Sequence, residues 1–96
     1  MSKNNYIQID ILCKLYQVEP ALFERLDDIG LIQTTQVQST LCVDEAHISQ
    51  IDKILRLHHD LEINPEGIDV VMNLLSRIEA LEQSLIEAKN RLKIHE

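Results

Sequence analysis

Apolar residues recur in steps of three and four through the last third of the chain: Val71, Leu74, Ile78, Leu81, Leu85, Ala88 and Leu92. Such steps keep residues on one side of an α-helix and make a coiled-coil heptad. Val71, Ile78, Leu85 and Leu92 take its a positions, and Leu74, Leu81 and Ala88 its d positions. Asn64 is placed to cap this helix, and Pro65 to fill its first position, where a missing N–H costs nothing. No Pro or Gly follows Gly67, so nothing interrupts the helix. From Pro65 to Lys93 it spans about 44 Å at ~1.5 Å per residue. The rest of the chain is too small to cover that length. The far half, from about Ile78 on, calls for a partner, and the simplest is a second copy. The alternative is a long terminal helix folded back on its own domain.

Ahead of this helix the pattern is shorter-ranged. Tyr6-Ile7-Gln8-Ile9 alternates and predicts a short strand. Asp10 then caps a first helix, Ile11 to Tyr16, and Gln17-Val18-Glu19 makes a turn. Pro20 opens a second helix, PALFERLDDI, which Gly30 ends as the residue past the cap. Two short helices on a tight turn make a helix-turn-helix signature. Leu31 to Val43 is β-branched, polar and without charge. It predicts a small hairpin, about Ile32–Thr35 and Thr40–Val43, with Gln38-Ser39 near the tip, placed as a wing. Asp44 caps a third helix whose apolar face runs through Ile48, Ile51, Ile54, Leu55, His58 and Leu61. The chain thus divides into a winged helix-turn-helix with a connecting helix, residues 1–62, and a dimerisation helix, residues 63–96, as one compact unit. The fold class is mainly α.

Charge changes the picture. With 16 acidic and nine basic residues, the 96-residue chain carries a formal net charge of −7. That balance repels phosphate backbones and favours basic protein partners. The start, Met1-Ser2-Lys3-Asn4-Asn5, leads into no apolar run of the signal-peptide kind, and no stretch approaches membrane-spanning length. A cytosolic protein is expected. Cys13 and Cys42 sit among apolar neighbours and read as small buried hydrophobes. His47, His58, His59 and His95 show no metal-ligand spacing, and His58 and His59 point about 100° apart on a helix. No nucleophile, base and orienter set is visible, and Gly30 and Gly67 cannot make a phosphate loop. Neither an enzyme, a cofactor nor a metal is expected.

Three stretches carry a family resemblance: Ile11-Leu12-Cys13-Lys14-Leu15, the Pro20–Leu31 helix ending Asp28-Ile29-Gly30-Leu31, and the long last helix. Together they resemble the MerR-like winged-helix superfamily. IDILCKLYQV, LRLHHDLEINPEGIDVV and the leucine-rich tail more closely resemble the small chaperone modulators of the CbpM-like kind, over about Tyr6 to Leu92. That resemblance implies a MerR-type winged helix on a dimer. It also implies a partner, the J-domain of a DnaJ-like co-chaperone, CbpA, which the modulator inhibits.

The alternative within the superfamily is a DNA-binding transcription regulator. DNA-binding relatives commonly show Leu-Arg-Tyr-Tyr-Glu-Lys before Ile-Gly-Leu, where this chain has Phe23-Glu24-Arg25-Leu26-Asp27-Asp28. The relatives' Arg and Lys positions carry Glu24 and Asp28, a reversal of sign at both. Between Leu26 and Asp52 there is no Lys or Arg at all, so phosphate contacts have little to rest on. On the second helix, Glu24 and Asp28 fall opposite the apolar Leu22, Phe23, Leu26 and Ile29, with Asp27 at the edge of the same face. These three acids are the expected partner-binding residues; an ordinary solvated face is the plainer alternative. Val71, Leu74, Ile78, Leu81, Leu85, Ala88 and Leu92 are the expected dimer interface.

Overall fold

The structure, a computed structural model, describes residues 5–95. The polar start read at Met1-Ser2-Lys3-Asn4, and the last residue, lie outside the described residues. The elements in order are β1 (Tyr6–Gln8), α1 (Ile9–Tyr16), α2 (Pro20–Asp28), β2 (Thr34–Val37), β3 (Thr40–Asp44), a 3-10 turn (Glu45–His47), α3 (Ile48–Leu61) and α4 (Pro65–His95). The three strands form one antiparallel sheet in the order β1-β3-β2. Ile7 lies opposite Val43, and Thr34 also lies opposite Val43 on the other side. The first strand thus closes the hairpin wing against the helices.

Local chemistry accounts for the boundaries. Gly30, at φ +84°, ends α2. The Leu31 N–H reaches the Leu26 carbonyl at 2.9 Å and the Gly30 N–H reaches Asp27 at 3.0 Å. This pair of bonds is a Schellman motif, which satisfies carbonyls that the helix end leaves open. The hairpin turns on Gln38 and Ser39, with φ 51° and 67°. Two successive left-handed residues give the turn whose twist matches that of the strands. Asn64 Oδ1 accepts from the Gly67 N–H at 2.8 Å, and Pro65 opens α4 behind it. That is the cap expected from the sequence.

Four expectations shift. The first helix begins at Ile9, so Asp10 lies inside its first turn and Gln8 stands at the cap without a side-chain bond. Ile9 is buried, and burying it is better served by the helix than by one more residue of edge strand. The wing's first strand begins at Thr34, because Ile32 turns into the core. Asp44 caps the 3-10 turn, accepting from the Ala46 N–H at 2.9 Å, and α3 proper starts at Ile48. Leu61 is 64% exposed. Leu57 and Ile63 pack on the core instead, while the chain leaves the helix through a left-handed Glu62.

One core joins every layer. Leu12 of α1, Phe23 and Leu26 of α2, Val43 of β3, Ile51, Ile54 and Leu55 of α3, and Ile68 of α4 are buried together. Met72 is the last residue of α4 packed on this core. Leu75, Ser76 and Glu79 still lie alongside α3 and the 3-10 turn; further on α4 extends past the domain, and the molecule measures 60 × 40 × 21 Å.

Candidate partner-binding surfaces

The second helix presents one apolar and one acidic side. Phe23 and Leu26 are buried, Leu22 and Ile29 half-buried, and Glu24, Asp27 and Asp28 exposed. This is the 3.6-residue period at work: fixing Phe23 and Leu26 inward turns positions 24 and 28 outward. Glu24 and Asp28 lie four apart and are neighbours on that outer face. Asp27 has a further role that spacing alone does not reveal. Its Oδ2 accepts a hydrogen bond from the Thr34 hydroxyl at 2.6 Å, which ties α2 to the first strand of the wing.

The only cation on this helix is Arg25, which flanks the acidic pair on the side away from Asp27. Its guanidinium pairs with Glu66 in the first turn of α4. The carboxyl of Glu66 is held below its usual range by its own backbone N–H and by Arg25. Exposed pairs of this kind contribute little to stability, but here the pair consumes the one positive group of α2. From Asp27 to Ile51 no Lys or Arg occurs. The wing therefore adds no lysine or arginine to the acidic side of α2, and the one guanidinium of that helix is engaged with Glu66.

A second polar link fixes α1 against α3. The Tyr16 hydroxyl donates to Asp52 Oδ1, and Arg56 reaches the same carboxylate at 3.1 Å. The hydrogen bond to Asp52 and partial burial raise the Tyr16 phenol. The bonds from Tyr16 and Arg56 hold the Asp52 carboxyl below its usual range. Sequence reading missed this link because Tyr16 and Asp52 are 36 residues apart, and neither sits in a motif.

The third surface is the heptad seam. Leu74, Ile78, Leu81, Leu85 and Leu92 are between 50% and 70% exposed, while Val71 and Ala88 are half-buried. Leu75, Ile86 and Ile94, outside the a and d positions, are also exposed. A run of large apolar side chains this long is more than scattered surface leucines.

Cys13 and Cys42 are free and buried, and burial, with Asp10 nearby, raises the Cys13 thiol. No group of three or more His, Cys, Asp or Glu that could hold a metal occurs among the described residues. No helix among them is long and apolar enough to cross a membrane.

Two short helices at a tight turn, a hairpin wing, a connecting helix and a long terminal helix define a winged helix-turn-helix protein. The chain matches the model of the MerR HTH family of regulatory proteins over residues 7–90 and belongs to that family. No curated protein matches it.

Proposed function

We propose that this protein is a chaperone modulator: a homodimer that binds the J-domain of a DnaJ- or CbpA-like co-chaperone and masks its Hsp70-docking surface. The observation that carries the reading is the sign of the charge on α2. In a MerR-type winged helix this element would face DNA, and here it presents Glu24, Asp27 and Asp28 beside an uncharged wing. J-domains carry a basic second helix next to a His-Pro-Asp loop, and Hsp70 docks there through acidic residues. An acidic adaptor competes for the same surface. Binding is stoichiometric, with no chemistry and no cofactor, and electrostatics sets encounter rate and orientation more than final affinity.

The like-charged pair Glu24 and Asp28 opposes helix stability by about 0.2–0.5 kcal/mol, and a basic partner relieves that repulsion. The dimer forms through Val71, Leu74, Ile78, Leu81, Leu85, Ala88 and Leu92. The test is the affinity of the Glu24→Lys/Asp28→Lys variant for a J-domain.

The family match favours a second reading, a transcription regulator that binds duplex DNA. Its difficulty is electrostatic. Several Lys or Arg contacts to phosphate supply most of such affinity, and the surface that would meet the duplex offers none from Asp27 to Ile51. Retention of a DNA duplex at physiological salt decides between the two.

A further inference from the structure

A cleft of about 590 Å³ opens where the turn between α1 and α2 meets the elbow between α3 and α4. Val18, Leu22 and His58 line it as half-buried residues, and Gln17, Glu19 and Glu62 as exposed ones. We propose that this cleft receives a lysine or arginine side chain of the basic protein partner, beside the acidic face of α2. The inference rests on the J-domain reading and adds a second contact to it.

Three observations point to a cation. First, Gln17 caps the C-terminal end of α1, and Glu62 that of α3. The last carbonyls of a helix carry partial negative charge, so two negative helix ends meet at one cleft. Second, the lining offers acceptors. Glu19 and Glu62 are carboxylates, and no lysine or arginine lines the cleft. His58 Nδ1 lies 3.0 Å from the Ile63 carbonyl. A carbonyl only accepts, so Nδ1 carries the proton, and in the neutral ring Nε2 is left as an acceptor. Third, Glu62 stands against its own local interest. Its φ of 54° is left-handed, where glycine is favoured, and its carboxylate sits at the negative end of α3. A cation in the cleft removes the electrostatic part of that conflict.

The position suits the same partner. At about 100° per residue along α2, Arg25 falls between Leu22 on the cleft and Asp28 on the acidic face. Its guanidinium is engaged with Glu66. Val18 and Leu22 give a methylene stem an apolar wall, while its charged head meets the carboxylates.

Glu19→Gln with Glu62→Gln tests this, because it removes both charges and keeps both shapes. Glu19 makes no side-chain cap bond to α2, so the helix does not depend on its charge. Binding kinetics against a J-domain at ~150 mM salt should show affinity at least about tenfold weaker, mostly through faster dissociation, as for a desolvated charge contact. The thermal midpoint should not fall, since Glu62 opposes the helix that it ends. Unchanged affinity would overturn the cleft contact and leave the α2 footprint standing. So would a loss confined to the association rate and erased at ~500 mM salt, which is steering and not insertion. A midpoint that falls in step with affinity would also overturn it, by assigning the two acids to the fold. No J-domain binding by the unmodified protein would overturn both readings.

Discussion

The Thr34 hydroxyl donates to Asp27 Oδ2 at 2.6 Å and so fastens the wing to the acidic helix. Without it, Asp27 would be one more carboxylate on a solvated face; with it, α2 and β2 present a single surface. Thr34→Val keeps the β-branched shape and removes the donor. The bond is exposed, so global stability should fall by no more than roughly 1 kcal/mol. Amide exchange over Thr34–Val37 should rise more than elsewhere, and hydrogen-exchange measurements read that difference directly.

The Tyr16–Asp52 link predicts a pH dependence. The folded protein depresses the Asp52 carboxyl below its ordinary 3.8. The resulting stability is present above that value and is lost as pH falls through the lower, folded one. The Tyr16 phenol is raised above its ordinary 10.0. Its contribution is present below that value and disappears as pH rises through the folded one. Tyr16→Phe should therefore lower stability at neutral pH and flatten both limbs. Urea midpoints measured from below pH 4 to above pH 10 check this; limbs identical to those of the unmodified protein would contradict it.

Along α4, Leu81→Glu puts a carboxylate at a d position of the proposed interface. Burying it unpaired costs several kcal/mol, on the order of the ~2–7 kcal/mol for an uncompensated polar group. Light scattering should show the dimer lost. Circular dichroism should show the winged domain intact, because Leu81 touches none of its core.

The second reading makes its own forecast. If the acidic helix and uncharged wing faced DNA, a gel shift would persist at ~150 mM salt, where phosphate contacts weaken steeply. We expect no specific duplex binding there.

The helices, the wing and their order were legible in the sequence because each is written locally. Pro20 with Gly30, Asn64 with Pro65, and the period of Phe23, Leu26 and Ile29 are short-range signals. The exposed placement of Glu24 and Asp28 followed from the same period. What the sequence did not reveal depends on distant partners. Thr34 gives no sign that it meets Asp27, Arg25 none that it meets Glu66, and Tyr16 none that it meets Asp52. Boundaries such as Ile9 and Ile32 moved because burial in the shared core outweighed strand alternation.

The most direct test of J-domain masking is calorimetric titration of a J-domain into the unmodified protein and into Glu24→Lys/Asp28→Lys. Both substitutions are at exposed positions outside the core, so fold and dimer should be unchanged by circular dichroism and light scattering. The account predicts measurable one-to-one binding per protomer for the unmodified protein and none for the double variant. An unchanged dissociation constant would contradict it, and would move the footprint away from α2, to α3 around Asp52, Asp60 and Glu62.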